Sequence, residues 1–149
     1  MIGKLHLTIT TPTTVLVDAA EVTSVRAEDD SGGFGILAGH ANLLTVLSAS
    51  VLRWRDLTGK ERYCAQSGGV LTVADGSRVL VACRQGTCGE VLSKLQDEVL
   101  LMRAAAVESD RKSRVEQTRL HANAVRQLMR FMRPDAAAAG PLSERGLRR

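Results

Sequence analysis

The stretch SGGVLTVADGSRVLVAC, residues 67–83, decides the fold class of the first half of this chain. It holds two short aliphatic runs, Val70–Val73 and Val79–Ala82, on either side of Asp75-Gly76. Runs of this kind are typical of strands, and Asp-Gly supplies the positive φ angles that a tight hairpin turn requires. The stretch therefore predicts an antiparallel hairpin.

Toward the N-terminus, apolar and polar residues alternate with a period of two. Leu5, Leu7 and Ile9 alternate with polar residues, as expected of a half-buried strand. Further short extended runs are Val15–Val17, Val22–Ala27, Phe34–Leu37 and Val46–Trp54. Because Gly, Pro and Asp residues punctuate these runs at short intervals, the region before Gly86 is predicted to be a sandwich or a barrel.

Composition excludes several classes of protein. The chain of 149 residues suits one compact domain or a small domain with an appendage, not a multidomain enzyme. Aromatic residues make up 3%, too few for the stacking platforms that hold single-stranded nucleic acid. No apolar run approaches the roughly 18 residues of a membrane-spanning helix.

The three cysteines contain no Cys-x-x-Cys pair, so the sequence predicts neither a disulfide framework nor a zinc site. Cysteines used in this way fit a reducing, cytoplasmic setting. Cys83 and Cys88 are interpreted as small apolar residues at a strand end and in a linker, not as a redox pair.

The chain changes character after Gly89, since neither Gly nor Pro recurs until Pro134. Leu92, Leu95, Val99 and Met102 form one apolar stripe at helical spacing, and a second stripe comprises Ala122, Val125, Met129 and Met132. The box Ser113-x-x-Glu116 offers a helix N-cap between them. We therefore predict an antiparallel helical hairpin over residues 87–133, with its turn within Val107–Ser113, and a flexible tail over residues 134–149.

Motifs that would carry catalysis are missing from the sequence. The three histidines are scattered over a predicted strand, a loop and a helix, away from other metal-ligating residues. Ser67 lacks the G-x-S-x-G context of a nucleophile elbow, and Gly33, Gly35 and Gly39 lead into more strand, whereas a dinucleotide loop opens a helix. We predict no catalytic residue, no metal site and no cofactor.

Basic residues gather in the helical half of the chain. Four arginines of the predicted second helix lie at separations of seven, four and three, which places them on one side: Arg119, Arg126, Arg130 and Arg133. Such a face suits contact with an acidic protein surface, contact with nucleic acid, or simple exposure to solvent. The charges alone leave these three alternatives open.

Residues 32–45, GGFGILAGHANLLT, resemble the G-x-x-G-I-L-P-G-H-A-P-L-L-T signature of the epsilon subunit of F-type ATP synthases. Residues 67–73 and 79–82 resemble the S-G-G-x-x-x-V and V-x-V-L-A strands of the same family in order and spacing. The chain is accordingly identified as a divergent bacterial member of that family. The resemblance implies an α+β protein in two parts, an N-terminal antiparallel β-sandwich of about ten short strands over residues 1–86 and a C-terminal helical hairpin.

The resemblance also implies a function. Members of the family are non-catalytic subunits of the central stalk, which couple ion translocation through the membrane c-ring to ATP synthesis and hydrolysis. The sandwich would bind the gamma subunit and the c-ring loops at the cytoplasmic face of the bacterial inner membrane. The implied gamma and c-ring contacts are Ser31, Gly32, Gly33, Phe34, Gly35, Gly39, His40, Leu43 and Leu44. The hairpin would inhibit hydrolysis through contacts of Arg119, Arg126, Arg130 and Arg133 with the beta subunit, in transient association with the alpha and beta subunits.

The chain departs from the family pattern in three places. Gly33 stands where an acid is common, and Ala38 and Asn42 stand where prolines are common, so this loop loses a charge and some rigidity. Residues 89–94, GEVLSK, lack the arginine of the family's ATP-binding motif, so ATP binding is not predicted. The alternative function is a free-standing basic module that binds nucleic acid through its arginine-rich helix.

Overall fold

A computed structural model describes residues 3–132, which form nine strands and one helix. The elements are β1 (Leu5–Thr10), β2 (Val15–Asp29), β3 (Gly32–Leu37), β4 (Leu43–Leu47), β5 (Ser50–Asp56), β6 (Glu61–Gln66), β7 (Gly69–Ala74), β8 (Arg78–Cys83), β9 (Gly86–Gly89) and α1 (Leu92–Met132). The predicted sandwich followed by helical structure is confirmed. Arg133 and the predicted tail, residues 134–149, lie outside the described residues.

Strand β2 links the two layers of the sandwich. Strands follow the hydrogen-bonded order β1-β8-β7-β4-β2-β5-β6-β9, and β3 pairs with β2. The first half of β2 pairs with β1, and its second half pairs with β3 and β5. The layers are therefore continuous through β2.

Two details of the predicted sandwich are wrong. The runs Val15–Val17 and Val22–Ala27 belong to one strand, because a bulge at Ala19 (φ 43°) absorbs an extra residue without ending β2. In addition, β1 runs parallel to β8, whereas all other pairs among the described strands are antiparallel. Alternation identifies a strand but carries no information about its partner's direction.

The predicted alternation reappears as the core of the sandwich. Leu5, Leu7 and Ile9 of β1 are fully buried, and the inward residues of the predicted hairpin are buried with them. These hairpin residues are Leu71, Val73, Val79 and Val81. Asp75 (φ 56°) and Gly76 (φ 65°) both adopt the left-handed conformation in the turn between β7 and β8, as the sequence predicted.

The first turns of α1 cover the opposite face of β5 and β6. Leu95 and Val99 are buried against Ala65, and Val51 and Tyr63 pack around them. Complete burial of one such aliphatic side chain contributes about 1.5–3 kcal/mol. The start of α1 is thereby fixed to the sandwich.

The predicted helical hairpin is wrong, because a single helix runs from Leu92 to Met132 without a turn. Residues 104–113, AAAVESDRKS, contain no helix breaker and begin with three alanines, the strongest helix former. Within this stretch Arg111 pairs with Glu108 at 3.1 Å, and beyond it the Thr118 hydroxyl donates to the Arg114 carbonyl at 2.8 Å. The capping box is therefore accommodated inside the helix, where serine is tolerated.

The chain divides into two compact units between Ala106 and Val107, inside α1. In the second unit the apolar side chains of the predicted second stripe are exposed, and Ala122 alone is half-buried among its described residues. No described helix is both long enough and apolar enough to cross a membrane.

Candidate docking surfaces

The β2–β3 turn is held by a carboxylate at its base. Asp29 accepts hydrogen bonds from the backbone N–H and the hydroxyl of Ser31 and, through its other oxygen, from the Thr45 hydroxyl at 2.9 Å. The Ser31 and Thr45 hydroxyls hold the pKa of Asp29 below its usual value. This turn, which is tied to β4 by a charged group, presents Ser31, Gly32 and Gly33 to solvent.

A second turn lies at the other end of β3. The His40 N–H donates to the Leu37 carbonyl at 3.1 Å, and Gly39 between them has φ +83°, as a type II turn requires. The Gly39 N–H donates to the Gly76 carbonyl at 2.7 Å, which joins this turn to the β7–β8 turn. The Asn42 side-chain oxygen reinforces the junction by accepting from the Asp75 N–H at 3.1 Å.

The predicted contact residues between Ser31 and Leu44 do not form one cluster. Ser31, Gly32 and Gly33 lie at one end of β3, and Gly39 and His40 lie at the other. The six extended residues of β3 place its two ends roughly 20 Å apart. Phe34 and Leu43 pack partly against the core, so both have a structural role.

The structure places an exposed apolar face on the outer side of β4, β7 and β8. Leu44 (73% exposed) and Val46 (70%) of β4 lie opposite Thr72 and Val70 (39%) of β7. Leu80 (44%) of β8 lies opposite Thr72. Contiguous exposed aliphatic side chains of this kind mark protein interaction sites. We call Leu44, Val46, Val70 and Leu80 the sheet face.

Of the sheet face, the sequence singled out Leu44 alone. A detectable signal was present, because β7 and β8 contain consecutive apolar residues where alternation calls for polar ones. Val70 precedes buried Leu71, and Leu80 stands between buried Val79 and Val81. A strand that is apolar on both sides indicates either two buried faces or one buried and one docking face.

The arginines of the predicted basic face lie exposed in the second half of α1. Arg119, Arg126 and Arg130 share one side of the helix, and within residues 3–132 none of them makes an ion pair. Arg119 and Arg126 lie beside Val115 and Ala122 on the same helix surface. This surface combines free positive charge with a small apolar strip. Arg133 is outside the described residues.

Groups that could bind a metal do not cluster among the described residues. No three His, Cys, Asp or Glu side chains in that part of the chain come together in a metal-binding arrangement. His6 lies 3.9 Å from a Glu21 oxygen at the surface, and the His40 ring bonds the Ala41 carbonyl at 2.7 Å.

The family profile described as "ATP synthase, Delta/Epsilon chain, beta-sandwich domain" matches residues 4–86, more than half of the chain. The chain belongs to the ATP synthase epsilon family. The family predicted from residues 32–45 and 67–82 is thus confirmed.

Relatives within the family extend the match beyond the sandwich. The "ATP synthase epsilon chain 2" of Paraburkholderia xenovorans is 50% identical over 139 residues, which cover 93% of this chain and all of the relative. A protein of the same description from Cereibacter sphaeroides is 46% identical over 140 residues and covers 94% of each chain. The similarity to epsilon chains therefore includes most of α1.

A solved structure shares the fold. A chain of the Euglena gracilis mitochondrial ATP synthase (OSCP/F1/c-ring, rotational state 1) superposes with a TM-score of 0.57 at 22% identity. The superposition covers 68% of this epsilon chain and 64% of the other. The nucleic-acid alternative has no support among these relatives.

Proposed function

We propose that this epsilon chain is a non-catalytic rotor subunit of the central stalk of a bacterial ATP synthase. The observation that carries the proposal is the 50% identity to an epsilon chain over that relative's whole length. A chain similar throughout to one subunit is expected to occupy the same place in its complex. It would then lie at the cytoplasmic face of the inner membrane, held there through the complex.

The sheet face is the proposed binding site for the gamma subunit. It is apolar, exposed and built on strands whose other side forms the core, so it is both rigid and free to dock. Burial of aliphatic side chains at the centre of an interface supplies much of the binding energy. The sheet face thus replaces the contact list from the sequence, of which it retains Leu44.

The two ends of β3 are proposed to serve different partners. Ser31, Gly32 and Gly33 form a polar, exposed turn, which suits the polar loops of the c-ring. Gly39 and His40 lie beside the sheet-face strands β4 and β7, because their turn is bonded to Gly76. They would therefore support the gamma contact, not the c-ring contact.

The second half of α1 is proposed to inhibit ATP hydrolysis by contact with the beta subunit. Its support is the exposed positive charge of Arg119, Arg126 and Arg130, which make no ion pair within residues 3–132. Charge-assisted hydrogen bonds from arginines to carboxylates are among the stronger polar contacts, and bidentate geometry gives them specificity. An acidic surface of the alpha and beta subunits would be the matching partner.

Binding to purified gamma subunit tests the sheet face. Leu44→Asp places a charge at its most exposed position and is expected to weaken binding at least tenfold, equivalent to about 1.4 kcal/mol. The matched control is Leu57→Asp, which changes a leucine 48% exposed on the β5–β6 turn and should bind as the wild type does. Equal affinities for all three proteins, measured by calorimetry, would reject the sheet face as the gamma site.

A further inference from the structure

Cys64 and Cys88 lie opposite each other on the edge strand β9 and its neighbour β6. Cys64 in β6 is the register partner of Cys88 in β9, between the pairs Tyr63–Gly89 and Ala65–Thr87. Cys64 is buried and Cys88 is exposed. The two thiols therefore share one side of the sheet, one of them accessible to reagents and the other enclosed.

The register meets the geometric requirement of a disulfide. Directly opposed residues of antiparallel strands have Cα atoms about 4.5–5.5 Å apart, which lies within the range of roughly 4.4–6.8 Å found in disulfides. Cys83, the third cysteine, has Gly69 of β7 as its register partner, and its thiol donates to the Thr10 carbonyl at 3.4 Å. The register thus selects Cys64 and not Cys83 as the partner of Cys88.

The two thiols differ in the way that a redox pair requires. The neighbouring Cys64 thiol lowers the pKa of the Cys88 thiol, whereas Cys88 and burial raise the pKa of Cys64. A thiol that is exposed and more acidic than usual reacts first with small oxidants. The buried thiol beside it can then resolve the product.

We propose that Cys64 and Cys88 form a redox-active pair that closes to a cross-strand disulfide in exchange with low-molecular-weight disulfides. The Cys88 thiolate attacks one sulfur of the small disulfide, whose S–S bond breaks and releases a first thiolate. Cys64 gives up its proton and attacks the Cys88 sulfur, which releases the second small thiol. Two protein thiols are oxidised by two electrons, and one small disulfide is reduced to two thiols that carry the two protons.

Closure of the pair would fasten the strand that leads into α1. Among the described strands β9 pairs with β6 alone, so it is an edge strand. Its last residue, Gly89, lies near Leu95, since a Cβ at position 89 would stand 3.4 Å from the leucine methyl groups, and α1 begins at Leu92. Oxidation would therefore hold the start of α1 on the sandwich, and reduction would release that restraint.

The pairing is tested on the reduced full chain incubated with glutathione disulfide. Intact mass is expected to fall by two hydrogens, and peptide mapping without reductant should join the Cys64 and Cys88 peptides. Cys83→Ser should behave in the same way. Cys64→Ala should stop at a glutathione adduct on Cys88, and Cys88→Ser should form neither product. Accumulation of the adduct in the wild type, or a bridge through Cys83, would overturn the proposal.

The restraint on β9 has its own readout in hydrogen exchange. Backbone amides of residues 86–89 are expected to exchange at least tenfold more slowly in the oxidised chain than in the reduced chain. Amides of β7, remote from the pair in sheet order, provide the internal reference. Equal exchange of β9 in both states would overturn the restraining role even if the disulfide forms.

Discussion

Gly35 and Gly39 are four residues apart, yet they tolerate a side chain very differently. Gly39 has φ +83°, whereas Gly35 lies in β3 with open space where a Cβ would stand. We expect Gly39→Val to lower the free energy of unfolding by about 1–2 kcal/mol, because a β-branched residue is strained in the left-handed region. Gly35→Ala should leave stability unchanged or raise it by about 0.5 kcal/mol.

Urea unfolding of the two variants beside the wild type measures both effects. Ala38→Pro is a further comparison, since proline suits the position before Gly39 in a type II turn and should not destabilise the chain. If Gly39→Val unfolds at the wild-type midpoint, the turn does not depend on the glycine.

The local sequence predicted the β7–β8 turn but not the long-range contacts around the turns. It predicted the Asp75-Gly76 turn, since local chemistry specifies it. Whether a Cβ fits at a glycine such as Gly35 has no local signal, because it depends on neighbours far apart in the chain. The contact between Gly39 and Gly76 is such a long-range feature.

Substitutions at position 113 distinguish a continuous α1 from a helical hairpin. Inside a helix, Ala is the best residue, Ser is intermediate, and Gly costs up to about 1 kcal/mol relative to Ala. At an N-cap the order is different, since Ser and Gly are close to each other and Ala costs about 0.5–2 kcal/mol relative to Ser. We expect far-UV circular dichroism to rank helicity as Ser113→Ala, then wild type, then Ser113→Gly. Loss of helicity in Ser113→Ala with retention in Ser113→Gly would favour the hairpin.

The sequence predicted the types of element better than their connections. Alternation identified the buried residues of β1, β7 and β8, because burial of one face imposes that pattern. Continuity of β2 depends on a bulge at Ala19, and the direction of β1 relative to β8 depends on packing, so neither has a local signal. Capping residues such as Ser113 also occur inside helices, which is why they misplaced a turn.

The exposed arginines of α1 are proposed to regulate ATP hydrolysis by the assembled complex. If exposed arginines of α1 engage an acidic surface in the blocked state, each charged hydrogen bond contributes about 1.5–3 kcal/mol when partly desolvated. We expect the triple variant Arg119→Ala, Arg126→Ala, Arg130→Ala to hydrolyse ATP several-fold faster in the assembled complex. Salt should raise the wild-type rate in the same direction, because it screens exposed charges.

The control for this experiment removes three cations from the sandwich instead. Lys4, Arg78 and Arg84 are exposed, and their replacement by Ala changes the net charge by the same amount. The control complex should hydrolyse ATP at the wild-type rate. If the α1 variant does the same at every salt concentration, the arginines have no inhibitory role.

Membership of the rotor is tested by the composition of the complex that contains the chain. The chain is tagged, purified from its own cells under mild conditions, and its partners are quantified by mass spectrometry. We expect ATP synthase subunits to co-purify, with one copy of this chain for each gamma subunit and with ATP hydrolysis in the purified fraction. Recovery of the chain without the gamma subunit, or bound to nucleic acid in its place, would show that the chain is not a rotor subunit.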